Sequence, residues 1–113
     1  MDNATAVTSL AALAQTSRLA IYRLLVQRGP EGFAAGDIAE RLGIPGPTLS
    51  FHLKTLAQAG LLVVRRETRF IYYSAAYEQM NALLAYLSEN CCTLGAACDP
   101  SCATTAKPTG KAA

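Results

Sequence analysis

The sequence predicts a mainly α-helical fold with one small β-hairpin, organised as a winged helix-turn-helix. Three observations carry that expectation. Apolar residues recur at helical spacing in five segments of the chain. Two of those segments are short and are separated only by Gly43-Ile44-Pro45-Gly46. Directly after them, two runs rich in Val, Ile, Phe and Tyr flank Glu67-Thr68, which is the pattern of a hairpin.

From Thr5 to Ala14, the residues Ala6, Val7, Leu10, Ala11, Leu13 and Ala14 cover one face of a first helix. Ser17 is a candidate cap for a second helix, which buries Leu19, Ile21, Leu24, Leu25 and Val26 and stops near Arg28 at Gly29-Pro30. Glu31-Gly32-Phe33 reads as a loop. The third helix spans Ala35 to Leu42 on Ile38, Ala39 and Leu42. Pro47 suits the first turn of the fourth helix, where it has no amide hydrogen to lose. That helix runs to about Ala59, with Leu49, Leu53 and Leu56 inward and Gly60 after its end. The hairpin pairs Leu61–Arg66 with Arg69–Ser74, and the last helix runs from Tyr77 to Asn90 on Met80, Leu83, Leu84 and Leu87. Residues 1–102 are expected to form one domain, and residues 103–113 a disordered tail with nothing to bury.

The chain has 113 residues, of which 51% are hydrophobic and 16% charged, a balance that argues against disorder and leaves apolar surface for a partner. An oligomer is expected. No apolar run approaches the roughly 20 residues of a membrane span, and the start Met1-Asp2-Asn3-Ala4 lacks a basic region ahead of an apolar stretch. The expectation is a cytoplasmic protein without a membrane partner. Thiols stay reduced in that compartment, so four cysteines between Cys91 and Cys102 read as metal-binding or redox-active before they read as a disulfide framework.

Charge is separated along the chain. Residues 41–73 carry Arg41, Lys54, Arg65, Arg66 and Arg69 against Glu67 alone, five positive charges less one, a local net of +4 that suits phosphate. Residues 74–102 carry Glu78, Glu89 and Asp99 with no Lys or Arg, a local net of −3 around the cysteines.

The second helix of a helix-turn-helix fits the major groove of DNA. Here it offers Thr48, Ser50, Phe51 and Lys54, with Thr55 and Gln58 further along. Hydroxyls can reach base edges or phosphates, Phe51 a thymine methyl or the sugar backbone, and Lys54 a phosphate. Arg65, Arg66 and Arg69 project from the hairpin, where arginines suit phosphate or a narrow minor groove. His52, the single histidine, is expected to be half-buried packing that also touches a phosphate, rather than a metal ligand. An enzyme is disfavoured, since the sequence has no P-loop, no nucleophile elbow and no paired carboxylates.

The run Ile44-Pro-Gly-Pro-Thr-Leu-Ser-Phe-His-Leu-Lys-Thr-Leu-Ala-Gln-Ala-Gly-Leu-Leu62, followed by an arginine-bearing hairpin ending Ile71-Tyr-Tyr-Ser74, resembles the ArsR/SmtB family over about residues 5–90. The resemblance implies a repressor of double-stranded operator DNA that dimerises through its first and last helices and leaves DNA on binding an inducer. It requires no cofactor. Many arsenic-sensing members carry a cysteine pair at or just before the helix ahead of the turn, where this chain has Phe33, Ala34, Ala35 and Gly36. Zinc-sensing members use Asp, His and Glu on the last helix, which has no histidine here.

Cys91 and Cys92 are adjacent, Cys98 follows six positions on, and Cys102 four after that. Thiolates select soft, thiophilic ions, and three would replace the three hydroxyls of arsenite. In a continuous helix, Cys92 and Cys98 would lie about 9 Å apart along the axis and roughly 240° apart around it, so one atom could not hold both. The chain is therefore expected to leave helical geometry near Cys92 and to turn back at Gly95. The pattern resembles a family subgroup with a Cys-Cys pair ending the last helix and a third cysteine six residues on. That likeness implies As(III) or Sb(III) as inducer, with Cys91, Cys92 and Cys98 as ligands and Cys102 supernumerary or a fourth donor. Open alternatives are a four-cysteine zinc or cadmium site, a two-thiol methylarsenite site, a thiol redox switch, structural cysteines, or a constitutive DNA-binding module with structural zinc.

Overall fold

A computed structural model of the protein describes residues 1–95. Its elements are α1 (Asn3–Leu13), α2 (Thr16–Arg28), β1 (Phe33–Ala34), α3 (Ala35–Leu42), α4 (Gly46–Gln58), β2 (Leu62–Glu67), β3 (Phe70–Ala75) and α5 (Tyr77–Ser88). The architecture is the expected winged helix-turn-helix. Residues 96–113, and with them Cys98, Cys102 and the expected tail, lie outside the described residues.

Local chemistry sets the helix ends. Asp2 caps α1 by accepting from the Thr5 amide at 2.8 Å, and the Thr5 side chain together with that amide holds its carboxyl below the usual value. Helix α2 begins two residues earlier than expected. Gln15, not Ser17, caps it, its Oε1 accepting from the Arg18 amide at 2.9 Å. The side chain of Arg18 turns back and donates through Nε to the Ala12 carbonyl at 2.6 Å, satisfying one of the acceptors left open at the end of α1. Gly43 terminates α3 in the left-handed conformation, with φ 66°, and delivers the chain into α4 with Pro47 in its first turn.

The wing has one strand more than expected. The sheet order is β1-β3-β2, antiparallel throughout, with Phe33 opposite Tyr73 and Arg65 opposite Tyr72. Gly32 makes the extra pairing possible: at φ +72°, its Cα approaches the Tyr73 backbone so closely that a Cβ would overlap the Tyr73 carbonyl oxygen. The hairpin runs one residue later than expected. Glu67 and Phe70 close the ladder, Thr68 turns the chain at φ 50°, and Arg69 lies in the turn instead of opening the second strand.

Ile21, Leu25, Ile38, Leu49, Leu56 and Leu61 form a fully buried centre where α2, α3, α4 and the base of the wing meet. The last helix is locked to this centre at its start. The Tyr77 hydroxyl lies 2.9 Å from the Val26 carbonyl and 3.3 Å from that of Leu25, at the end of α2. It is tied to α1 by Gln79 Nε2, 3.3 Å from the hydroxyl of fully buried Ser9, and by Tyr86, whose hydroxyl donates to Asn3 Oδ1 at 3.1 Å. Helix α5 ends at Ser88, two residues before the expected Asn90.

Candidate nucleic-acid interface and thiol pair

At 100° per residue, Leu49, His52, Leu53 and Leu56 share one arc of α4, and all four are buried. Ser50, Phe51, Lys54 and Gln58 occupy the opposite arc and are exposed, as is Thr48 in the first turn. Phe51 is 63% exposed, an apolar ring standing out from a helix otherwise polar on that side. Thr55 contributes less than its type suggests, because its hydroxyl donates to the Phe51 carbonyl at 3.1 Å within the helix.

His52 departs from the expectation of half-burial and phosphate contact. It is 7% exposed, it belongs to the inward arc, and its buried Nδ1 has no hydrogen-bond partner among the described residues. It lies on the arc opposite Ser50, Phe51 and Lys54.

The three wing arginines have different surroundings. Arg66 and Arg69 are exposed and make no ion pair among the described residues. Arg65 is half-buried and engaged by the protein. Its Nε pairs with Glu67 Oε2 at 2.7 Å, its terminal nitrogens donate to the Glu31 carbonyl at 3.2 Å and the Pro30 carbonyl at 3.4 Å, and its guanidinium lies 4.9 Å from the Tyr72 ring centroid. Arg65 thereby fastens the wing to the loop between α2 and β1.

The thiol pair stands where α5 stops. Cys91 donates its amide to the Ser88 carbonyl at 3.2 Å, and Gly95 donates to the Cys92 carbonyl at 3.2 Å, so the segment proceeds by turns. Asn90 at φ 61° and Cys92 at φ 66° are both left-handed; asparagine tolerates that region, whereas cysteine adopts it at a cost. The chain thus leaves helical geometry before Cys92, where the departure was expected. It places Cys91 Sγ and Cys92 Sγ 3.6 Å apart, both half-buried. With metal–sulfur bonds of about 2.3 Å, two thiolates on one atom lie roughly 3.5–4 Å apart, so the pair suits a shared thiophilic centre. Among the described residues no third His, Cys, Asp or Glu joins them.

A helix-turn-helix domain family matches residues 13–65, from the end of α1 into the wing. The arsenical resistance operon repressor of Bacillus subtilis is 36% identical over 81 residues, covering 72% of this chain and 73% of the repressor. The chain belongs to the ArsR/SmtB family. Among solved structures, the homodimeric winged helix-turn-helix domain Mb0332 of Mycobacterium bovis, described as a possible ArsR-family regulator, superposes with a TM-score of 0.62 at 31% identity, covering 74% of this chain and 75% of that one. The uncharacterised regulator YceK of Bacillus subtilis is 43% identical over 63 residues, 56% of this chain, which spans only 62% of YceK. The relatives and neighbours it matches are named as transcriptional regulators, and the chain shares their helix-turn-helix domain. No helix among the described residues is long and apolar enough to cross a membrane.

Proposed function

We propose that this ArsR/SmtB-family protein is a homodimeric repressor that releases its operator when Cys91, Cys92 and Cys98 capture trivalent arsenic or antimony. The observation that carries the reading is the 3.6 Å sulfur pair set in a strained turn directly after α5. Two ligands are already at single-atom spacing, and a third cysteine six positions beyond Cys92 can close on them only because the helix has ended.

The DNA side rests on Thr48, Ser50, Phe51 and Lys54 in the major groove, with Arg66 and Arg69 against phosphate or the minor groove. Dimerisation gives the exposed Val7 and Leu10 of α1 and Leu84 and Leu87 of α5 a place to be buried, and it fixes the spacing of two α4 helices. Because Ser9–Gln79 and Asn3–Tyr86 tie α1 to α5, strain applied at Cys92 is delivered to that dimer surface. The metalloid releases DNA only to the extent that it binds the DNA-free arrangement more tightly, and DNA weakens metalloid binding by the same factor.

The test is titration of a labelled operator complex with arsenite, antimonite, zinc and cadmium in separate arms. Release by a few equivalents of arsenite or antimonite, with zinc and cadmium inert, is the expected result. Release by zinc or cadmium alone replaces the reading with a tetrahedral metal site, and an intact complex in every arm overturns inducer release.

A further inference from the structure

The outer face of the wing carries a feature that the arginine pattern does not explain. Register places Arg65 opposite Tyr72 and Glu67 opposite Phe70, so these four side chains share one face, while Leu62 and Ala75 on the other face enter the core. On that outer face the contacts run in sequence toward the tip. The Pro30 and Glu31 carbonyls hold Arg65, Arg65 covers the Tyr72 ring, and the Tyr72 ring meets Phe70 with centroids 6.3 Å apart. Phe70 ends the series 52% exposed, directly opposite Glu67, with Arg69 beside it in the turn and Arg66 on the opposite face of the ribbon.

A single exposed phenyl ring on a protein surface is ordinary. This one is held at the tip of a narrow two-stranded ribbon by stacked neighbours, the carboxylate opposite it is paired with Arg65, and the two other arginines of the tip, Arg69 in the turn and Arg66 on the reverse face, make no ion pair among the described residues. The complementary surface is apolar at its floor and anionic along its rims. A DNA minor groove has that character, with phosphate on both edges and a width of about 6 Å, and apolar side chains are known wedges between its base steps.

The geometry points to Phe70 as the wing's apolar contact in the minor groove, with Tyr72 and Arg65 as the positioning residues that hold it out. The proposal rests on the DNA-binding reading above and adds to it a contact whose energy does not depend on salt. A phenyl ring displaces no counterion, so its loss lowers affinity without altering the salt slope. Wedging also favours steps that unstack easily, which are the pyrimidine–purine steps.

The experiment uses the full chain and a fluorescein-labelled duplex of about 30 base pairs, roughly three helical turns, with TA or GC steps placed under the wing. For Phe70→Ala, affinity is expected to fall on the order of tenfold at every salt concentration, with the log–log slope unchanged and the preference for TA steps lost. Phe70→Leu should keep part of both, and it serves as the second variant should Phe70→Ala fail to fold by circular dichroism. Arg69→Gln should instead flatten the slope. Wild-type affinity in Phe70→Ala, or a flattened slope, overturns the proposal. A change in oligomeric state on the same substitution would assign Phe70 to a contact between copies and overturn it too. If the wild type binds neither duplex, the DNA-binding reading itself fails, and that failure is distinguishable because it precedes any variant.

Discussion

Arg65 and Arg66 are adjacent, carry the same charge and sit on the same strand, yet their surroundings predict different losses on substitution by glutamine. In Arg65→Gln the lost contacts are the pair with Glu67, the cover over Tyr72 and the two bonds to the α2–β1 loop. The ion pair is half exposed and so contributes at most about 1 kcal/mol after screening; the stacking adds about 0.5–1 kcal/mol. Arg65→Gln should therefore lower the stability of the fold by about 1–2 kcal/mol, read as a shifted urea midpoint. Its guanidinium is committed to the protein, so the salt dependence of DNA binding should stay close to wild type. Arg66→Gln should leave the urea midpoint unchanged. If Arg66 contacts one phosphate in each subunit of a dimer, its loss lowers the salt slope by about 1.8, so the affinity ratio between 50 and 200 mM salt shrinks about twelvefold. Fluorescence anisotropy at a series of salt concentrations reads both slopes. An Arg65→Gln slope that falls as far as that of Arg66→Gln would refute the assignment of Arg65 to the loop.

Three further substitutions test the packing around the site. Tyr77→Phe removes the hydroxyl that meets the Leu25 and Val26 carbonyls and should cost about 0.5–1.5 kcal/mol by urea unfolding, loosening the start of α5; no loss would mean that the bond is not formed in solution. His52→Leu places an apolar side chain where a buried Nδ1 has no partner, so thermal stability should hold or rise and DNA affinity should stay within a few-fold; a tenfold loss of affinity with the fold intact would return His52 to the DNA contacts. Tyr22→Phe removes another buried hydroxyl without a partner among the described residues and should be neutral or stabilising in the same assay, whereas a marked loss would reveal a bond to it.

Most of the fold was legible because its signals are local. The periodicity of Leu49, Leu53 and Leu56, the Gly43–Gly46 turn and the β-rich runs around Glu67 need no tertiary information. The two-residue strand β1 is different, since it exists only where Gly32 lets the chain approach Tyr73, some forty residues later in sequence. The position of His52 could have been read: it lies three residues after Leu49 and four before Leu56, inside the apolar arc. The role of Arg65 could not, because its partners at Pro30 and Glu31 are remote in sequence and supply only backbone carbonyls, which leave no pattern in residue types. Gln15 prevailed over Ser17 as a cap because the chain is already helical at Thr16, leaving Ser17 inside the first turn. The cysteine spacing led to the expectation of a break near Cys92, and the helix ends earlier, at Ser88, ahead of Cys91 and Cys92.

The central claim is that three named thiolates couple a metalloid to DNA release, and titration of the operator complex with arsenite across the four single Cys→Ser variants tests it most directly. The account predicts release at about one arsenite per subunit for the wild type and Cys102→Ser, and retention of DNA by Cys91→Ser, Cys92→Ser and Cys98→Ser. Release of Cys98→Ser at wild-type arsenite would contradict the three-thiolate site and leave the Cys91–Cys92 pair as the sensor.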